Sequence, residues 1–367
     1  MFVNRLISAI RLLTDDPSRF YQRLKIEFAT PTTRLTAILR SFFTVLYPNR
    51  GESFAWNDDR LLLVYGTLPN PVTFDFLHYL YWAKWRRKTS GNKHIDIHFV
   101  RRDETNNPRD AAYIDAVGVD NINWRISNLI FPLTRLFTEV GRVSIVDPDE
   151  ACQVIKPYRS IYPEGYSYST PKTAVLLLDQ AGLEFDSVLT MPQTANQIID
   201  SYFPRSDNRR LINITLRSYE CIVCRNSDIE SWVDFAASLD SSVYRIIFIP
   251  EASANGAILR NKILTYEIID SACWNIELRA AIYNRAWMNM GVACGPLALS
   301  GLMSNVWAVL IDPSLDCPVD YYKSVHSTGI AAGNTSNFYS KFCHMHLGKD
   351  DKQTISNIFS EYIDKTP

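Results

Sequence analysis

Short apolar runs alternate with helix-period segments along most of this 367-residue chain, and that alternation narrows its fold more than any other feature. Residues 60–65 form a run (Arg60, Leu61, Leu62, Leu63, Val64, Tyr65) that is too short for a helix and apolar on both faces. A strand covered on both sides reads this way. A turn over residues 66–71 leads into a helix predicted over 73–88, where Phe76, Leu77, Leu80 and Ala83 recur at helical spacing. A strand at 95–100, a polar loop with Asn106, Asn107 and Pro108, a helix near 126–137 and a strand at 142–146 follow. Strand, helix, strand, helix, strand implies a parallel sheet with right-handed crossovers.

The order then repeats. Residues 157–171, rich in turn formers and aromatics, open an interdomain region reaching to about residue 205. Beyond it the pattern predicts a strand at 211–216, a helix over 228–239, and strands at 244–249 and 266–269. A helix over 277–289, a short strand at 291–294, a helix from Leu297 and a strand at 306–311 complete the repeat. A closing helix over 352–362 is expected to cross back to the first domain. The predicted class is α/β, with two Rossmann-like domains facing each other. The expected division is a helical lead-in at 1–57, one Rossmann-like domain at 58–190, a second at 191–349 and a C-terminal helix at 350–367.

Composition closes off several classes. A chain with 47% hydrophobic and 21% charged residues can build a core. A net charge of -1 argues against a general nucleic-acid binder. No apolar stretch approaches the roughly 18 residues that cross a bilayer. Arg5 and Arg11 interrupt the N-terminal apolar residues, so no signal-peptide layout is seen. Seven cysteines, an odd number, point to reduced thiols and a cytoplasmic protein. Residues 1–40 carry seven Lys/Arg against three Asp/Glu, and Lys84, Trp85, Arg86, Arg87 and Lys88 form a second basic cluster. Such patches fit peripheral contact with an anionic inner membrane surface, or else solvated helix faces and ends.

The candidate site begins where the strand at 211–216 runs into Arg217. Eight residues on come Arg225, Asn226 and Ser227, then Asp228 and Glu230 ahead of Trp232 and Phe235. Asn226 or Ser227 can cap a helix there, and the acidic pair suits its positive end. Two guanidinium groups and a helix start at the carboxyl end of a strand make a natural diphosphate site. The alternative is a pair of structural arginines paired with surface carboxylates. Gly295 and Pro296 add backbone N–H groups with close approach, or an ordinary strand-to-helix turn. Glu251, just past a strand, can accept from ribose hydroxyls or be a surface glutamate. A base for an acceptor hydroxyl is expected on the other domain, with Asp75 leading and Asp103 and Asp147 close behind. An aspartate in a first helical turn, as Asp75 is read here, is also a common cap.

Other signals are weaker. His98 falls inside an alternating strand and reads as half-buried and structural. Cys221 and Cys224 form one CxxC with no second pair, and the stretch from Cys343 to His346 lacks a fourth ligand, so no metal site is expected. Neither a Walker A loop nor a GxGxxG follows a strand, which counts against P-loop NTPases and NAD enzymes.

Ile214, Thr215, Leu216 and Arg217, then Arg225 to Ser227, Trp232 and Phe235, Pro250 with Glu251, Ala281 to Tyr283, and Gly295 with Pro296 together resemble bacterial glycosyltransferase-like proteins of the GT-B fold. The segment from Asn70 to Phe76 is similar to that group as well. More distantly, an arginine closing the first strand of the C-terminal domain is similar to one in the fucosyltransferase superfamily that reaches the donor's phosphates. The paired arginines and histidine of that superfamily are absent, with Leu216 standing before Arg217. The resemblance implies transfer of a sugar from a nucleotide-activated donor to a glycan or protein acceptor, in building a bacterial surface glycan or modifying a protein. No cofactor or metal is expected, protein cations taking the metal's place. A non-catalytic glycan- or nucleotide-binding protein, and a sugar-nucleotide epimerase or hydrolase, remain as alternatives on the same scaffold.

Overall fold

The computed structural model describes residues 57–67, 70, 72–101, 118–147, 150–151, 154–155, 157–163, 178, 181–186, 189–219, 222–250, 261–318 and 336–365. By its internal contacts the chain forms two units that interleave in sequence. The first comprises Met1–Asn70, Ala83–Asn106 and Glu139–Thr170, and the second Pro71–Trp82, Asn107–Thr138 and Pro171–Pro367.

The first unit holds a four-stranded sheet built from β1 (Arg60–Gly66), β2 (His94–Val100), β3 (Val140–Val146) and β4 (Ser160–Tyr162). All pairings are parallel, in the order β3-β2-β1-β4. Every residue of β1 after Arg60 is buried, as the unbroken apolar run requires of a central strand. Strand β2 departs from the expected alternation: every residue after His94 is buried, so both faces are covered. That puts the Asp96 carboxylate fully inside, where three donors meet it: Arg60 Nη1 (2.6 Å), the Arg142 N–H (2.8 Å) and the Tyr158 hydroxyl (2.7 Å). A buried carboxylate is tolerated only when paired in this way. His98 is buried and structural, its Nδ1 hydrogen-bonded to Ser144 Oγ.

Helix α1 (Phe76–Thr89) follows β1 and ends in the basic cluster. Lys84 and Arg87 pair with Glu139 (3.2 and 3.8 Å), and Arg87 also donates to the Asn92 and Lys93 carbonyls (both 3.1 Å). This is cation chemistry at a helix C-terminus, the structural reading of that cluster. The basic segment at 1–40 lies outside the described residues.

In the second unit, β5 (Arg210–Thr215), β6 (Tyr244–Ile249), β7 (Glu267–Ile268), β8 (Met288–Val292), β9 (Trp307–Asp312) and β10 (Cys343–Leu347) form one parallel sheet. The order β7-β6-β5-β8-β9-β10 is that of a complete Rossmann sheet, reversing direction between β5 and β8. The helical elements are α2 (Val119–Arg125), continued through a π-turn at Ile126–Ile130 into α3 (Phe131–Thr134), then α4 (Gln193–Tyr202), α5 (Ile229–Ser238), α6 (Ser271–Trp274), α7 (Ile276–Arg285), α8 (Ala298–Gly301) and α9 (Lys352–Ser360). The closing helix α9 packs Ile355, Ile358 and Phe359 into the second unit's own core, against Trp232, Phe235 and the β5–β8–β9 strands.

Several segments differ from expectation. The helix predicted to reach Asn289 stops at Arg285, and the strand predicted at 291–294 is Met288–Val292. Met288 and Met290 fit either period, while Asn289 belongs inside the sheet, donating to the Tyr283 carbonyl and accepting from Asn213. The region read as interdomain contains β4 and α4. The stretch from Cys343 to His346 is strand β10, where alternation puts Cys343 and Met345 on one face and the two histidines on the other. His344 packs on Trp307 and Tyr362, and His346 bonds the Tyr362 hydroxyl (3.1 Å).

Candidate active site

The carboxyl edge of the second sheet, at the reversal between β5 and β8, is where an open parallel sheet offers a ligand crevice. Four of the residues singled out in the sequence meet there. Arg217 leaves β5 only 8% exposed, and its backbone is locked to Ser227: the Arg217 N–H donates to Ser227 Oγ and the Ser227 N–H to the Arg217 carbonyl, both at 2.9 Å. Its guanidinium donates to the Ile222 carbonyl (3.1 Å) and to Asn226 Oδ1. Asn226 closes the loop on itself, accepting from the Tyr219 N–H and donating to the Tyr219 carbonyl, each at 3.0 Å. Arg225 reaches across the reversal and donates to the Ala293 carbonyl beyond β8.

Neither Asn226 nor Ser227 caps the next helix, as the sequence suggested. Asp228 does, accepting from the Ser231 N–H at 3.3 Å. Asn226 and Ser227 are committed to Arg217, two residues and one residue before the position that caps α5. The start of that helix is pinned by Asp350, which accepts from the Asp228 N–H (2.9 Å) and from Trp232 Nε1 (2.8 Å). Burial pushes the Asp350 carboxyl up, against the pull of those two donors.

Ile222 stands at φ 61°, ψ 61°, a left-handed conformation that a β-branched residue resists. Its carbonyl accepts from both Arg217 and the Arg225 N–H (3.1 Å), so the strained peptide serves both arginines. Strain of this kind concentrates at functional loops. The next element is tied down covalently: Cys224 is disulfide-bonded to Cys317 in the loop after β9. Reduced thiols throughout, as the odd cysteine count suggested, are therefore not what the chain carries. Cys224 has a partner that sequence spacing could not identify, 93 residues away.

Gly291 and Gly295 are glycines for reasons of space. Gly291 lies at φ +156° opposite the Thr215 carbonyl, and a Cβ there would collide with it. At Gly295 a Cβ would come within 2.8 Å of Phe74 Cβ. Beyond Pro296 the expected helix is one turn, α8. So short a helix has little dipole, and the Gly295–Pro296 segment acts as a close-packed turn.

Phe74 brings its neighbour Asp75 to this edge, within the second unit. Asp75 precedes α1, is exposed and accepts from Thr73 Oγ1 (2.8 Å). Two residues into α1, His78 is buried, with Nε2 hydrogen-bonded to the Tyr339 hydroxyl (2.9 Å); burial holds it below the usual histidine range, opposed by Asp75. Asp147 belongs to the first unit, where it is exposed and paired with Arg101 at 3.7 Å. Asp103 and Glu251 lie outside the described residues.

One group that the sequence reading missed is Arg125 at the end of α2. Its Nη2 donates to the Tyr219 hydroxyl (3.5 Å), and its guanidinium lies over the Tyr219 ring at 5.7 Å, the ring that Arg217 approaches at 5.8 Å. No local motif announces a contact between residues 94 apart.

No protein-family model matches the chain, and no curated protein does. Among solved structures the chain is similar to a glycosyl transferase family 9 protein from Veillonella parvula, with 11% identity over 85% of this chain and 93% of that one and a TM-score of 0.49. It is also similar to the Escherichia coli ADP-heptose LPS heptosyltransferase II, with 10% identity, coverage of 82% and 98% and a TM-score of 0.46. The E. coli heptosyltransferase WaaC solved with ADP is similar at 13% identity, with coverage of 82% and 99% and a TM-score of 0.42.

Proposed function

We propose that this chain is a glycosyltransferase that takes its sugar from a nucleotide-activated donor and passes it to a glycan or protein acceptor without a metal. The observation that carries the reading is the Arg217–Arg225–Asn226–Ser227 loop at the strand-order reversal of a Rossmann sheet. A sugar-nucleotide transferase must hold a diphosphate and stabilise the negative charge it gains on leaving. Arg217 and Arg225 supply that charge from a loop already fixed by hydrogen bonds, so little reorganisation remains to be done in the transition state. Asp75, exposed beside the Gly295 turn, is the carboxylate we assign to the acceptor hydroxyl's proton. Gly295, Pro296 and Glu251 belong to the donor side of this proposal, Asp103 and Asp147 to the acceptor side. We place the reaction at the inner membrane surface, in bacterial surface glycan assembly. The Cys224–Cys317 disulfide removes the cysteine argument for a cytoplasmic protein, and the cytoplasmic side rests on the nucleotide-sugar reading alone.

A second reading, a nucleotide- or glycan-binding protein without turnover, is favoured by one observation: Arg217 already spends its guanidinium on Ile222 and Asn226. A thermal-shift panel with UDP, GDP, ADP, TDP, CDP and CMP on wild type and Arg217→Ala tests both. A ligand at about 100 times its dissociation constant adds roughly 2.7 kcal/mol, a rise of several degrees. Stabilisation by one nucleotide, lost in the variant, supports the site, and nucleotide release that requires an acceptor then supports transfer. Release without acceptor points to a hydrolase, and binding without release to the second reading. No stabilisation by any nucleotide sinks the proposal.

A further inference from the structure

We infer that Arg125 is a third cation of this anion site, contributed by α2, and that it makes the site prefer a diphosphate to a monophosphate; the inference rests on the nucleotide reading above. Arg125 is half-buried and has no carboxylate partner among the described residues. A guanidinium in that setting gains most from an anion it can address with two N–H groups. Its placement is not accidental to the site. The Tyr219 hydroxyl accepts from Arg125, the Tyr219 ring lies beside both Arg125 and Arg217, and the Tyr219 backbone is bonded twice to Asn226, which also holds Arg217. One aromatic side chain thus keeps two guanidinium groups on a common centre, although like charges left to themselves would move apart. Arg225 belongs to the same loop, its N–H on the Ile222 carbonyl and its guanidinium on the Ala293 carbonyl.

Two guanidinium groups at one tyrosine, with Arg225 on the same loop, exceed what a monophosphate needs and match the larger charge of a diphosphate. The neighbouring residue supplies a built-in reporter. Trp124 is 38% exposed and stands edge-on to Trp274, itself 47% exposed, with ring centroids 5.9 Å apart. Movement of Arg125 onto an anion changes the electrostatic surroundings of that indole pair.

The test titrates inorganic pyrophosphate and orthophosphate into wild type, Arg125→Gln, Arg125→Lys and Arg217→Gln, by calorimetry and by indole emission, with melting points to confirm folding. Arg125→Gln is expected to weaken pyrophosphate about tenfold while changing orthophosphate less than threefold, as loss of one charge-assisted contact requires. Arg125→Lys is expected to recover part of the preference, and the emission change on pyrophosphate is expected to vanish with glutamine. A purely structural role would move both anions together. Wild-type pyrophosphate affinity in Arg125→Gln, with binding lost in Arg217→Gln, overturns the inference and leaves the nucleotide site standing. No pyrophosphate binding by the wild type overturns both.

Discussion

Asn226→Ala is the substitution that most directly probes how the arginine loop is held. The side chain accepts from the Arg217 guanidinium and the Tyr219 N–H and donates to the Tyr219 carbonyl. A bond to a charged group contributes about 1.5–3 kcal/mol and a neutral one about 0.5–1.5 kcal/mol. Asn226 is half-buried, so water takes over part of what is lost. We expect a net destabilisation of about 2 kcal/mol, a drop of roughly 4–8 °C in melting temperature for a unit of this size. Arg217 would then have to be ordered by the ligand, at about 0.5–1.5 kcal/mol, which is roughly two- to tenfold in nucleotide affinity. Asn226→Asp separates the two effects. It keeps an acceptor for Arg217 and the Tyr219 N–H, so it should melt closer to wild type than the alanine variant. It also places a carboxylate beside Arg217, so its affinity should fall at least as far. Differential scanning calorimetry with nucleotide titration reads both quantities. If Asn226→Ala changes neither, or if the aspartate variant binds as wild type does, the reasoning fails.

Three further outcomes are expected. Asp350→Ala strands the buried Trp232 Nε1 and frees the part-buried Asp228 N–H to water, and should cost about 1–3 kcal/mol by urea denaturation, with Asp350→Asn costing less; a loss under about 0.5 kcal/mol would show that water serves both. Replacing Cys224 and Cys317 with serine removes a link across 93 residues, worth about 4.5 kcal/mol in the chain-entropy account, and equal denaturation of the oxidised wild type and the variant would contradict the disulfide. Burial holds His78, His98, His344 and His346 below the ordinary value of 6.5; Asp75 and Asp96 oppose it at the first two, His346 and Lys365 reinforce it at His344, and Glu361 opposes it at His346. Their neutral forms are the ones that fit, so stability is present above 6.5 and lost as pH falls through the lower folded values. Urea midpoints should therefore drop between pH 7.5 and 5.5, less steeply in His98→Asn, and a flat or rising profile would count against it.

Much of the fold was legible because the sequence alone carries the physics of a parallel strand. An uninterrupted apolar run such as Leu61 to Tyr65, or Ile247 to Ile249, has no other comfortable place than between two layers. Helix α5 was legible from its acidic start and its Trp232–Phe235 face, and the placing of Arg217 at a strand end followed from the strand. What local pattern could not decide was partnership across distance. β10 carries two histidines, and no spacing in the sequence names Trp307 and Tyr362 as the aromatic rings beside them. Asn226 and Ser227 have the chemistry of helix caps, yet the loop turns them to Arg217 and leaves the cap to Asp228. Cys224 finds Cys317, and Arg125 finds Tyr219, only because the chain folds loops from distant segments onto one edge of one sheet. The sequence by itself determined the elements, the parallel alternation and the first arginine of the site. The tertiary structure decided its partners, because burial and periodicity are written residue by residue, whereas the reversal of strand order between β5 and β8 that gathers those loops exists only in the assembled sheet.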